Sequence, residues 1–311
     1  MIAAIVRRVS LSNYSFRGSV LYSRMSASEA TAEREAKIKR NPHGDFNEVQ
    51  MSRPEFESDV QFHYTQTIDT KWVPGSGANS NEWQKYKKIA VDPYAEGRDP
   101  MNNYKLLIAG IVPRPIGFVS TESKAGIRNL APFSYTTFVH HDPPIFCIGF
   151  ASSVAQAKDT LANILETGEL TINIISEWFV EAANYTSTNA PPEVSEWDVS
   201  GLTPLASKKV KPPHVGESAF SVEAKLVTHH EWKSKVDGEP NGTLVIVEGI
   251  NFHIREDATN ESFTTLDPEI LKPVSRLGGI TYGRTTQAFE MLRPSWADEE
   301  KRAEVQQALK E

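Results

Sequence analysis

Thr243-Leu244-Val245-Ile246-Val247-Glu248-Gly249-Ile250-Asn251-Phe252-His253-Ile254-Arg255 is a long strand candidate, and its neighbours set the fold class. Residues 220–228 form a second one. The Gly-rich turn Asp237-Gly238-Glu239-Pro240-Asn241-Gly242 joins the two. Working outward, 170–175 alternates, with Ile172 and Ile174 on one face and Thr171, Asn173 and Ile175 on the other. Residues 116–120 are β-rich, and 133–138 and 144–150 flank a His140-His141-Asp142-Pro143 turn. Two helices interrupt. One spans 159–167, with Asp159 as an acidic N-cap, Leu161, Ile164 and Leu165 on its apolar face, and Gly168 as its stop. The other spans 176–188, with Ser176 as cap. A third precedes the strands, with Asp99 as N-cap and Pro100 as first helical residue, and Pro113 and Pro115 stop it. A fourth closes the chain from a Ser295 cap, with Asp298, Glu299 and Glu300 in its first turn and Val305 and Leu309 on one face. Closely spaced strands with few helices predict a mainly β fold, a β-barrel or sandwich with peripheral helices, and not a doubly wound parallel sheet.

The 311 residues suit one or two domains. Counted with glycine and without tyrosine, the apolar share is about 42%, a little below the ~45–50% of ordinary globular chains, so part of the chain packs loosely. A net charge of −7 argues against nucleic-acid binding. No apolar run approaches the ~18 residues of a membrane span. The single cysteine, Cys147, excludes an internal disulfide and a cysteine-cluster metal site, and in Ile-Phe-Cys-Ile it reads as a buried small hydrophobe.

Residues 1–24 hold Arg7, Arg8, Arg17 and Arg24, several serines and no acid, the composition of a mitochondrial transit peptide. The alternative is a cytoplasmic protein starting at Met25. Residues 25–100 read as an irregular N-terminal arm, rich in proline and glycine beyond 40, whose few aromatics, Trp72 and Trp83 among them, pin it to a core elsewhere. The domain proper is 101–294, followed by the C-terminal helix at 295–311.

Several chemistries are excluded by pattern. There is no phosphate-binding P-loop, and Gly75-Ser76-Gly77 lacks the third glycine of a dinucleotide fingerprint. His140-His141-Asp142 and His229-His230-Glu231 place adjacent residues on opposite faces of a strand, so neither doublet chelates one ion. What remains is a set of small polar groups within 114–160. Ser120-Thr121 closes a strand, Asn129 to Ser134 follows a Gly126 turn, and Lys158-Asp159-Thr160 opens a helix whose free N–H groups and lysine suit a phosphate. The alternative for the last group is plain helix capping.

Together these segments resemble the flavin reductase-like proteins with an FMN-binding split barrel. The resemblance runs through Val112-Pro113-Arg114-Pro115-Ile116-Gly117-Phe118-Val119-Ser120-Thr121 and Asn129-Leu130-Ala131-Pro132-Phe133-Ser134-Tyr135. It continues in Asp142-Pro143-Pro144, Lys158-Asp159-Thr160-Leu161-Ala162-Asn163-Ile164, Thr167-Gly168-Glu169 and Arg276-Leu277-Gly278-Gly279-Ile280-Thr281-Tyr282, about residues 104–290 in all. It implies a six-stranded Greek-key barrel with an irregular N-terminal extension, paired as a homodimer, with non-covalent FMN. By this resemblance Ser120 and Thr121 lie along the flavin, and Asn129, Ala131 and Ser134 bond its ring edge or ribityl chain. Lys158, Asp159 and Thr160 face its phosphate end, and Arg276 and Tyr282 line the same pocket or the partner's. Arg114 is either part of the site or a structural ion-pair partner, and Tyr282 either core or stacking partner.

The activity implied is hydride transfer from transiently bound NAD(P)H to FMN and on to free flavin, oxygen or a small organic acceptor. No catalytic dyad is needed, in keeping with a sequence where none stands out. Two alternatives stand beside it: an oxidase or oxygenase with its own organic substrate on the same barrel, and a non-enzymatic flavin-binding interaction module covered by the arm.

Overall fold

The structure, a computed structural model, describes residues 41–310. The expected address at 1–24 and the start of the arm, 25–40, lie outside the described residues. In the arm, α1 (Phe46–Met51) is capped by Asp45, whose carboxylate accepts the N–H groups of Asn47 and Glu48, and β1 (His63–Tyr64) is a two-residue strand. Asp99 likewise caps α2 (Pro100–Gly110). Then come β2 (Gly117–Glu122), β3 (Arg128–Phe133), β4 (Thr136–His141), β5 (Pro144–Phe150), α3 (Asp159–Thr167) and β6 (Glu169–Ile174). They are followed by α4 (Val180–Tyr185), α5 (Glu196–Ser200), β7 (Pro204–Leu205), β8 (His214–Val215), β9 (Phe220–Lys233) and β10 (Pro240–Ile254). The chain continues with α6 (Pro268–Leu271), β11 (Val274–Arg276), β12 (Tyr282–Arg284), β13 (Gln287–Ala288), α7 (Trp296–Glu299) and α8 (Ala303–Ala308).

Four local expectations are corrected. Asp159 is the first helical residue of α3 and not its cap, because Lys158 holds the extended cap conformation. Ser176 caps nothing, since its hydroxyl donates to Leu271 O, and the expected 176–188 helix reduces to a 3₁₀ turn and α4. The C-terminal helix is two pieces: Arg302 is extended, the Gln306 side chain donates to Glu300 O, and Leu309 is exposed while Val305 is buried. Trp72 and Trp83 are exposed, and the Trp72 indole bonds only Gly77 O within the arm. The arm is held instead by β1, which pairs in parallel with β13. It is held also by Arg284, whose guanidinium lies 4.3 Å from the Phe56 ring and donates to Glu57 O.

The main sheet has seven strands in the order β3-β2-β6-β9-β10-β5-β4, where six were expected. Every neighbouring pair in it is antiparallel. Its two edge strands, β3 and β4, are consecutive in sequence and joined by Ser134 and Tyr135 alone. A flat sheet would put them about 29 Å apart at the usual strand spacing, yet that link reaches only about 11 Å. The sheet is therefore rolled. At the meeting point Gly149 N–H donates to Tyr135 O (2.8 Å), and the Phe133 and Phe150 rings lie 4.8 Å apart. Gly117 makes room for the crossing chain, since a Cβ there would sit 2.7 Å from both Thr136 Cγ2 and Oγ1.

Strand alternation then divides the buried side chains into two cores. Inside the roll, Val119, Ile148, Phe150, Ile172, Val222, Val245 and Val247 surround Leu161 and Ile164 of α3, which plugs it. On the outer face, Phe118 and Leu130 pack under Phe179, Ala183, Trp197, Leu202 and Val215. Each such side chain contributes about 1.5–3 kcal/mol. The 204–215 segment is tied to this outer face by Glu223, which is fully buried. Its carboxylate accepts from the N–H groups of Lys208, Lys209 and Val210, from Asn251, and from His253 Nε2 at 2.6 Å. His214 stacks on His253 with ring centroids 3.8 Å apart.

Two tests follow from these contacts. Gly117→Ala is expected to lower stability by about 1–3 kcal/mol, as overpacking does, read as a lower denaturant midpoint with an unchanged slope. Burial would raise the Glu223 carboxyl, but its donors hold it at about 2. Burial and the neighbouring His253 lower His214 to about 4. Below pH 6.5 the unfolded chain therefore takes up a proton at residue 214 that the native state refuses until about pH 4. Glu223 adds the same penalty below about pH 4.5. The thermal midpoint is expected to fall from pH 6.5 downward and more steeply below 4.5, with His214→Gln flattening the upper part of the decline.

Candidate functional site

The outer edge of β3 is where the candidate residues gather. Leu130 N–H points away from β2, because it donates to Glu196 Oε2 at 3.1 Å. The outward positions on β3 are therefore Leu130 and Pro132, two residues apart. A proline is harmless there, since no ladder hydrogen bond is missing, and this is why Asn129-Leu130-Ala131-Pro132-Phe133 forms a strand. Asn129 follows the Gly126 turn, as expected. It pairs with Thr121 in register.

At one end of β3 the start of α3 and the start of α5 converge on Asn129. Its Nδ2 donates to Glu196 Oε2 (3.2 Å), and its Oδ1 accepts from Thr160 Oγ1 (2.9 Å). Asn129, Thr160 and Glu196 are all buried. Burial, and next the negative charge of Asp159, push the Glu196 carboxyl up against the opposing pull of backbone N–H groups. Burial also raises Asp159, with Lys158 opposing. The helix itself has no side-chain cap; its first intrahelical bond is Ala162 N–H to Lys158 O, so the N–H groups of residues 159–161 precede the ladder.

The other end of β3, about 17 Å away at strand rise, is built on Arg114. Among the described residues this buried guanidinium has no carboxylate partner, so the ion-pair alternative gives way to another structural role. It donates to Ile108 O and Ile111 O at the end of α2, to Leu277 O, and to Ser134 Oγ at 3.4 Å. A cation on the last carbonyls of a helix also complements its dipole. Arg276 pairs through its backbone with Arg114. Its guanidinium lies 4.4 Å from the Tyr282 ring and donates to Gly279 O and Ile280 O. Tyr282 OH donates to Asn184 Oδ1, and burial raises its phenol.

The expected site residues are thus brought together only in part. Asn129, Lys158, Asp159 and Thr160 form one group; Ser134, Arg276 and Tyr282 form another through Arg114; the half-exposed Ala131 lies between them. Ser120 and Thr121 are adjacent strand residues on opposite faces and fully buried, so their side chains do not share one ligand surface. The Ser120 hydroxyl has no hydrogen-bond partner among the described residues, and Ser120 sits opposite outer-core Leu130 in the ladder, while Thr121 Oγ1 accepts from Asn163 inside the roll. Thr160 spends its proton on Asn129, leaving its backbone N–H for an anion. Glu196 was not singled out from sequence, since nothing in Ser195-Glu196-Trp197-Asp198 marks a buried carboxyl. Cys147, expected buried, is only partly buried, and desolvation raises its thiol pKa.

Known proteins match this architecture. The Flavin reductase like domain family matches residues 109–270. An uncharacterized protein of Halalkalibacterium halodurans is 37% identical over 194 residues, 62% of this chain and 91% of that one. The crystal structure of nitrilotriacetate monooxygenase component B from Bacillus cereus superposes with a TM-score of 0.62 at 32% identity, covering 66% of this chain and all of that one. A protein with a split barrel domain from Shewanella frigidimarina NCIMB 400 shares the fold (TM-score 0.54, 22% identity, 64% of this chain and 94% of that one).

Arg114→Lys keeps the charge but loses the planar fork. It is expected to leave carbonyls of α2 and the 276–282 turn unsatisfied, at a cost of about 1–3 kcal/mol. In hydrogen exchange, faster opening of residues 107–111 and 276–282 together, with 220–254 unchanged, checks this.

Proposed function

Since the chain belongs to the flavin reductase-like family, and so at a coarse level to the flavin-dependent oxidoreductases, we propose that it holds FMN along the outer edge of β3. We propose also that it passes electrons from NAD(P)H through that flavin to free flavin, oxygen or a small organic acceptor. The observation that carries this is the meeting, at one sheet edge, of outward backbone groups on β3 with an uncapped helix N-terminus bearing Lys158.

The residues present fit the group. Lys158 suits a phosphate by its charge, and the first-turn N–H groups of α3 by their direction and the helix dipole. Asn129, the outward carbonyls of Leu130 and Pro132, and Ser134 offer hydrogen bonds of both signs to a polar ring edge. Bound FMN would supply the hydride and electron chemistry that no side chain here provides. The chain's part is orientation: β3 is held straight by β2, and Asn129 is fixed from two sides. Phe133 and Phe150, packed together at the roll, keep water from the inner side of that edge. Positive partial charge at the start of α3 also favours the anionic end of a ligand over a neutral one.

The fit leaves one side of the rim open. Edge strand β4 exposes Phe138 and Val139, and α2 exposes Leu106 and Leu107. We assign these to pairing with a second copy, as exposed apolar edges are otherwise a liability. Residues 56–65 of the arm meet β12 at Arg284 and pair with β13. This contact favours restricted access and with it the second reading, an organic substrate of the enzyme's own.

Protein starting at Met25 and purified with its pigment is expected to show flavin absorbance that bleaches on anaerobic NAD(P)H. Lys158→Ala is expected to weaken FMN binding about tenfold, the loss of one charge-assisted contact. Bands that persist with both nucleotides would remove the nicotinamide donor, and unchanged FMN affinity in Lys158→Ala would remove the phosphate assignment.

A further inference from the structure

We propose that Glu196 is a positioning residue of the flavin site, acting through Asn129 by fixing which way the Asn129 carboxamide faces. The inference rests on the flavin assignment above and goes beyond it to a residue from a separate part of the chain.

The Asn129 side chain is held at both ends. Thr160 Oγ1 donates to its oxygen at 2.9 Å and Glu196 Oε2 accepts from its nitrogen at 3.2 Å. A hydroxyl can donate or accept, so Thr160 alone tolerates either orientation of the amide. A carboxylate only accepts. Glu196 therefore selects the orientation with nitrogen toward α5 and oxygen toward α3, and Thr160 follows by donating. The same Glu196 oxygen also takes Leu130 N–H at 3.1 Å, which pins the amide to the strand edge. With both contacts made, Asn129 retains one N–H and one lone pair, so the pair of atoms it offers a ligand is set and not free to interchange.

Burying a carboxylate is costly unless donors meet it. Glu196 is 6% exposed, and two of its donors belong to Asn129 and Leu130. The carboxylate also takes its own backbone N–H at the start of the five-residue α5, whose cap, Ser195, makes no side-chain bond, but that local contact does not require Asn129. The contact couples residues 67 and 66 positions apart in sequence across two elements, and its product is the orientation of one amide at the rim.

A double-mutant cycle on FMN affinity tests this in the full chain from Met25, with thermal melts confirming that each variant is folded. Asn129→Ala and Glu196→Ala are each expected to weaken FMN binding about tenfold and to shift the visible flavin bands in the same direction. The double variant should bind no more weakly than Asn129→Ala, because Glu196 acts through the amide that is already gone. Glu196→Met, which keeps the unbranched side chain and loses the acceptor, should behave like Glu196→Ala and serves in its place if that variant does not fold, whereas Thr160→Val should weaken binding less, because Glu196 still sets the amide. Losses that multiply in the double variant, or wild-type affinity in Glu196→Ala and Glu196→Met, would overturn the inference while leaving FMN binding intact. A wild-type protein that binds no FMN would overturn both.

Discussion

Ser134 and Tyr135 join the two edge strands of a seven-stranded sheet, and the shortness of that link governs the rest of the molecule. It forces the sheet to roll, since the two edges cannot otherwise be reached by so few residues. The roll needs Gly117, because a Cβ there would meet Thr136. It creates an interior, which α3 fills with Leu161 and Ile164. Because α3 enters as a plug, its uncapped N-terminus is delivered to the free side of β3. The proposed flavin site is thus a by-product of rolling the sheet: a strand edge that no further strand pairs with among the described residues, and a helix start without a side-chain cap among them.

The outer layer serves a different end. Residues 196–215 wrap the far face of β2, β6 and β9, anchored by Glu196 at one edge and by Glu223 with its five donors farther in. Both anchors are buried carboxylates whose partners are largely backbone N–H groups. Such partners cannot be swapped by rotamer changes, so the layer is held in one register over the sheet. Glu196 alone sits where this layer meets the strand edge.

Much of the fold was legible in the residues. The 220–254 hairpin, the 144–150 strand and the start of α2 at Asp99-Pro100 appear where periodicity and capping chemistry put them. What was not legible depended on partners distant in sequence. In residues 128–133 the proline at 132 hides the strand until the segment is known to lie at a sheet edge, where Pro132 costs nothing. The identity of the α3 cap turned on the backbone of Lys158. The aromatics expected to anchor the arm, Trp72 and Trp83, are exposed, while Phe56 and β1 take that role through Arg284 and β13. At the site, the cluster of Asn129, Lys158, Asp159 and Thr160 follows motifs visible in the chain. Alternation places the side chains of Ser120 and Thr121 on opposite faces, and the position of Glu196 required knowing that α5 lands on Leu130.

The central claim is the place of the flavin, and hydrogen–deuterium exchange of the protein with and without saturating FMN tests it most directly. Slowed exchange confined to residues 128–134 and 158–162 is the predicted result. Slowed exchange instead at residues 257–269 and 62–64, which line a separate cleft, with β3 and the start of α3 unchanged, would contradict it.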